Sequence, residues 1–256
     1  MNRIRILPDP QALARAAAEH FVASASRVIA KRDRFSVALS GGSTPRQTYA
    51  LLATEEFSAR VDWSRTHVFW GDERCVPPDD PRSNYAMAHQ VMLEHVPLPA
   101  ENIHRIRGET APHVAAEEYE TSLRAFFARP PVGQSTNFAQ SLPTFDLILL
   151  GMGADGHTAS LFPGTPLLHE KWRWAGTTYV ESAHQARVTL TPPPINAALQ
   201  VTFIVSGAPK ALTLRRALAG PYRPDVLPVQ IVRPANGRLL WLVDAEAGAL
   251  LSKQRG

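Results

Sequence analysis

Asp155 and His157 flank a single glycine in Gly151-Met-Gly-Ala-Asp-Gly-His-Thr-Ala-Ser-Leu-Phe-Pro163, which directly follows the apolar run Leu147 to Leu150. A carboxylate and a near-neutral base this close on a turn can act as a unit. The carboxylate orients the imidazole, and the imidazole takes a proton from water or substrate. Gly151, Gly153 and Gly156 give the turn conformations and close approaches that a Cβ forbids. The same glycines fit the G-x-G-x-x-G pattern of a dinucleotide site, which asks for a long following helix and an acid about 20 residues on. Pro163 would stop that helix after little more than a turn, and neither Glu170 nor Glu181 clearly ends a second strand at the right spacing. In a third reading Asp155 only caps a helix and His157 is a satisfied polar residue, which leaves their pairing on a strand-end turn unused. General-base chemistry is therefore the expectation, rather than a dinucleotide site.

Ser40-Gly-Gly-Ser-Thr-Pro45 is a second cluster. Small residues follow the run Phe35 to Leu39, and Pro45 is suited to a first helical position with Thr44 as its cap. Strand, small-residue loop and helix N-terminus in that order form an anion cup of free amides at the positive end of a helix dipole, and phosphate suits it. No Gly-Lys-Ser/Thr follows, so this is not a Walker A loop. Proline stands where a nucleophile elbow needs its last glycine, so no covalent serine is expected. Two further groups belong to the same rim. Asp72, Glu73 and Arg74 follow the run His67 to Trp70, and Lys210 follows Val201 to Val205. Arg74 suits bidentate phosphate binding and Lys210 is a compact cation. Asp72 and Glu73 are neighbours in extended chain and point to opposite faces, so at most one of them faces a substrate.

The elements that must carry these residues follow from periodicity. Leu13, Ala17, Phe21, Ser24 and Val28 recur at helical spacing and predict a helix over about 10 to 31. A strand at 35 to 39, a helix through Tyr49 and Leu52, a strand at 67 to 70 and a helix from Ser83 to about His95 come next. A helix through Ala115, Tyr119 and Phe126 leads to a polar, Pro-flanked stretch at 130 to 143, read as a surface loop. After the central turn the reading gives short strands at 177 to 181 and 187 to 191, a helix start at Ile195-Asn196 and a strand at 201 to 205. A helix through Leu218 and a strand at 239 to 243 follow, with Asp244 capping a last short helix. Alternating strands and helices imply an α/β fold: an open, mostly parallel, doubly wound, Rossmann-like sheet with helices on both faces, formed by residues 1–256 as one domain.

Composition bounds the partners. The 27 Lys and Arg against 23 Asp and Glu give +4, too mild and scattered for a nucleic-acid protein. No run of apolar residues is long enough to span a membrane, and the first residues lack the apolar core of a signal peptide, so a cytoplasmic location is expected. The single Cys75 excludes an internal disulfide and a Cys-rich metal site. A monomer is expected.

Four stretches together resemble the 6-phosphogluconolactonase family: Ser40-Gly-Gly-Ser-Thr-Pro45, Gly71-Asp-Glu-Arg-Cys-Val-Pro77 with Ser83-Asn-Tyr85, Gly151 to Pro163, and Arg187-Val-Thr-Leu-Thr191 with Ile195-Asn196. Ser206-Gly-Ala-Pro-Lys210 is a weaker fifth match. They span nearly the whole chain, and the stretch from Gly151 is the most specific. The main departure is the stretch 130 to 143, longer than usual. The resemblance implies hydrolysis of 6-phospho-D-glucono-1,5-lactone without metal or organic cofactor. His157 would be the general base, Asp155 its orienting partner and backbone amides of the Gly-rich turn the oxyanion donors. Gly42, Ser43, Thr44, Asp72, Arg74, Arg187 and Lys210 would hold the phosphate and the ring. Glucosamine-6-phosphate deaminases are similar, but their Asp-Gly-His continues into Phe-Asn-Glu-Pro, and Leu161-Phe162-Pro163 has no such Glu. Sugar-phosphate-sensing domains of transcriptional regulators share the fold behind a DNA-binding helix-turn-helix. The first strand expected here, at residue 35, leaves no room for one.

Overall fold

The computed structural model describes residues 3–128 and 142–251. The stretch at 130 to 143 lies almost wholly outside them. In chain order the elements are β1 (Arg3–Leu7), α1 (Pro10–Arg32), β2 (Phe35–Leu39), α2 (Ser43–Leu52), α3 (Glu55–Ser58), β3 (Thr66–Trp70), β4 (Asp72–Arg74), α4 (Asn84–Val91), α5 (Pro112–Phe127) and β5 (Leu147–Leu150). They continue with β6 (Ala175–Val180), β7 (Gln185–Leu190), α6 (Pro192–Ala197), β8 (Gln200–Val205), α7 (Ala211–Ala219) and β9 (Arg238–Asp244). Local chemistry sets the boundaries. Asp9 Oδ1 accepts from Ala12 N at 2.7 Å and Pro10 opens α1, which closes on Asp33 in the left-handed region at φ 63°.

Six strands form one parallel sheet in the order β1-β9-β8-β5-β2-β3. β2, β5 and β8 are buried at every residue, so both faces of the sheet are covered, as their largely apolar sequences predict. The chain steps from β2 to β3 on one side, then crosses to β5 on the other and continues outward through β8 to β9. The connections therefore diverge between β2 and β5, and such a switch point opens a crevice at the carboxyl ends of the strands.

The fold departs from expectation in four places. The sheet begins at Arg3, not at residue 35, because β1 adds to the far edge beside β9. The strands near 177 and 187 exist, but they leave the parallel sheet and pair antiparallel with β4 in a second sheet of order β4-β7-β6. Gly71 makes that transfer. Its N–H donates to Leu39 O at 2.8 Å in the large sheet, and its carbonyl accepts from Leu190 N at 2.8 Å in the small one. Thr44 caps nothing: α2 starts at Ser43, its N-cap is Gly42 at φ 109°, and no side chain caps it. Asp244 does accept from Ala247 N at 2.7 Å, but turns rather than a helix follow it. Residues 154 to 161 likewise form turns, with Thr158 bridging Leu161. The helix that a dinucleotide site requires is thus missing.

One hydrophobic core takes in residues from Leu13 to Ala247. Two buried tyrosines tie strand ends to helices. The Tyr49 hydroxyl, on α2, accepts from Ser40 N at 3.0 Å and donates to Ser40 O at 2.9 Å. The Tyr119 hydroxyl, on α5, does the same for Trp70 at 3.0 and 2.7 Å. Each clips the backbone where β2 or β3 leaves the parallel ladder. Among the described residues no helix is long and apolar enough to cross a membrane.

Candidate active site

The loops after β2, β3, β5 and β8 converge on an open cleft of about 210 Å³. Six of the expected residues line it: Gly42, Asp72, Arg74, His157, Arg187 and Lys210. Asp155 stands behind His157. Ser43 and Thr44 are not on the wall, since α2 already begins at Ser43 and that side chain is exposed. What they offer the cleft is an uncapped helix N-terminus rather than hydroxyls.

The Asp-Gly-His turn is held from several directions. Asp155 Oδ1 lies 2.6 Å from His157 Nδ1 and accepts from His157 N at 3.1 Å. Gly153 N donates to His157 O at 2.8 Å, and a Cβ on Gly153 would overlap both His157 Nδ1 and Asp155 Oδ1. Gly156, at φ 86°, packs on Leu227, and Val229 N donates to its carbonyl at 2.9 Å. Thr213 Oγ1 donates to Ala154 O at 2.6 Å. The hydrogen bond from His157 holds Asp155 below the usual carboxylate range, so Asp155 stays ionised and fixes Nδ1 as the donor nitrogen. Nε2 is then the basic nitrogen. The imidazole also lies against the Phe162 ring, with centroids 4.4 Å apart and planes inclined by 31°.

Across the cleft, Arg74 on β4 and Arg187 on β7 are register partners. Like charges directly opposite in an antiparallel pair repel, and an anion between two such guanidinium groups would be held by both. The Nε atoms of both arginines are buried without a partner among the described residues, as is Ser40 Oγ. Arg74 Nη1 donates to Arg82 O, and Arg187 Nη1 lies 3.9 Å from Asp72 Oδ2. Burial pushes the Arg187 guanidinium below its ordinary value, with Asp72 opposing and Arg74 adding to the effect. Asp72 itself accepts from Ser160 Oγ at 2.7 Å. Its neighbour Glu73 turns away, as the alternation predicts. Its oxygens accept from Asn84 N at 2.7 Å, Tyr85 N at 2.7 Å and Ser83 Oγ at 3.0 Å, fixing the start of α4. Burial nonetheless raises the Glu73 carboxyl above its ordinary value. Among the described residues no group of three or more His, Cys, Asp or Glu is placed to hold a metal ion.

Ser40 and Gly41 of the expected anion cup also line the cleft, and it has walls that the residue-by-residue reading did not single out: Asn84, Met152 and Ala159. Asn84 Nδ2 donates to Asp72 O at 2.8 Å, and a Cβ on Gly41 would overlap the Asn84 amide. The signal for this contact was a glycine pair that suited an anion cup equally well. Ala159, at φ 48°, takes a left-handed conformation at the cleft, which nothing in its residue type announces.

The sequence profile of the glucosamine-6-phosphate isomerases/6-phosphogluconolactonase family matches residues 8–241. The 6-phosphogluconolactonase of Nostoc sp. is 40% identical over 250 residues, covering 97% of this chain and 98% of the relative. That of Synechocystis sp. is 42% identical over 224 residues, covering 87% of each. The 6-phosphogluconolactonase structure from Trypanosoma brucei superposes with a TM-score of 0.84 at 29% identity, covering 98% of this chain and 99% of that one. By its sequence profile, its curated relatives and its fold, the chain belongs to the glucosamine-6-phosphate isomerase/6-phosphogluconolactonase family.

Proposed function

We propose that the cleft hydrolyses 6-phospho-D-glucono-1,5-lactone to 6-phospho-D-gluconate, the reaction for which its relatives are named. The observation that carries this reading is the pairing of an oriented base with an anion grip in one cleft. Asp155 holds His157 Nδ1 at 2.6 Å, and Arg74 and Arg187 face the same space with buried Nε atoms that have no partner among the described residues. His157 Nε2 takes a proton from water as the water oxygen attacks the lactone carbonyl. The oxyanion that forms is met by backbone N–H groups of the Gly-rich turn. Its collapse breaks the bond to the ring oxygen, which recovers the proton from the imidazolium, and Asp155 stabilises that imidazolium meanwhile. Arg74, Arg187, Lys210 and the amides at the start of α2 hold the phosphate, and Asp72 steadies Arg187. No step calls for a metal or organic cofactor.

The test is hydrolysis of lactone generated in place, corrected for spontaneous hydrolysis, by wild type and His157→Ala. The variant is expected to lose about 10²- to 10⁴-fold in rate, the usual contribution of a positioned base. A wild-type rate no higher than background would overturn the reading and make glucosamine 6-phosphate the next substrate to assay.

A further inference from the structure

Phe162 touches both halves of the cleft machinery. Its ring centroid lies 4.4 Å from that of His157, and the Arg187 guanidinium carbon lies 5.6 Å from the same centroid. Phe162 is only half-buried, so core packing alone does not account for it. Asp155 fixes one nitrogen of His157, but a single side-chain hydrogen bond leaves the imidazole free to tilt about it. A flat ring against the imidazole removes that freedom. An aromatic face also attracts a cation, and it attracts a desolvated one more strongly. The imidazole becomes a cation only after it takes a proton, whereas Arg187 is one throughout, and burial has weakened its hydration.

On the lactonase reading given above, we propose that Phe162 is a positioning residue that sets the plane of His157 and meets the charge that develops on the imidazole as it takes its proton in the reaction. The ring then helps where charge develops on the base and leaves the ground state almost unchanged, so its loss falls mainly on kcat. The charged groups that share the cleft with His157 are Asp155 on its own turn, Asp72 and Arg74 on β4, Arg187 on β7 and Lys210 before α7. Phe162→Leu keeps the apolar bulk and all of these charges, and removes only the aromatic face.

The experiment combines kinetics with a spectrum that needs no substrate. In Phe162→Leu, kcat is expected to fall about tenfold, in the range set by a desolvated cation–π contact, with KM changed by less. The Nδ1–H proton that His157 shares with Asp155, followed by NMR at one fixed pH and assigned with His157→Gln, is expected to broaden or vanish as the freed imidazole exchanges with solvent. Phe162→Tyr, which restores the ring, is expected to restore both. An unchanged Nδ1–H resonance in a folded Phe162→Leu overturns the proposal, whatever the kinetics. So does a loss in Phe162→Tyr equal to that in Phe162→Leu. A changed resonance in a protein that fails to hydrolyse the lactone keeps the role of Phe162 and overturns the lactonase reading alone.

Discussion

Arg74 and Arg187 carry opposite consequences for folding and for binding. Placed in register across β4 and β7, they repel each other in the free protein, and an anion between them turns that repulsion into two charge-assisted contacts. The phosphate is remote from the lactone carbonyl, so these contacts strengthen ground state and transition state alike. Arg74→Ala or Arg187→Ala is therefore expected to raise KM about 10- to 100-fold with kcat within a few-fold of wild type, in line with about 1.5–3 kcal/mol per charged hydrogen bond. Steady-state kinetics decide it: a fall in kcat at constant KM would put the arginine at the reacting carbonyl. Arg74 was legible from its position at a strand end. Arg187 was not, because single-chain periodicity cannot reveal which strand pairs with which, and only the family resemblance brought it to the site. The Asp155 and His157 pair was legible because it is local. Two residues that share one turn meet whatever the rest of the fold does.

At the scale of elements, the site depends on how strands end. The Tyr49 hydroxyl satisfies both backbone groups of Ser40, and Ser40 is a wall of the cleft. The Tyr119 hydroxyl does the same for Trp70, which is not. Burial pushes both phenols well above their ordinary values, so each stays protonated and keeps donating. Tyr49→Phe and Tyr119→Phe each strand a buried N–H and C=O and are expected to cost about 1–3 kcal/mol. Urea midpoints should show similar losses in both, while assays of the folded enzymes should show a raised KM in Tyr49→Phe alone. Equal kinetics in the two variants would mean that the clip on Ser40 does not shape the anion loop. The parallel sheet was legible because β5 is an unbroken apolar run and β2 and β8 are largely apolar. The small sheet was hidden because β4 has three residues and its partners lie far along the chain. Gly71, the residue shared by the two sheets, reads in sequence as nothing more than a turn.

For the whole molecule, acid is the condition that separates site from scaffold. His20, His67 and His104 lie away from the cleft, and each is held down to about 4 from an ordinary value of 6.5. Burial is the main cause for all three, with Arg27 and Arg5 adding to it at His20 and with His104 and Arg34 adding to it at His67. His67 Nδ1 lies 3.3 Å from His104 Nε2, and His104 stacks on Phe69 at 4.3 Å, so neither ring accepts a proton without disturbing the other. A depressed value means that the unfolded chain takes up these protons first. The stabilisation is complete above pH 6.5 and is lost as pH falls toward 4. Near pH 5 each histidine accounts for roughly 1–2 kcal/mol once partial exposure is discounted. Glu73 and Asp146, raised by burial, act in the opposite sense, since the folded form binds their protons more readily. Three histidines outweigh two acids, so the urea midpoint is expected to fall between about pH 7 and pH 5. His20→Leu shifts the midpoint at every pH but should flatten its slope by at least about a third, because one of the three groups that produce the fall no longer titrates while the opposing acids remain. A slope as steep as that of wild type would exclude His20 from the transition, and a wild-type midpoint level across the range would exclude all three histidines as its cause.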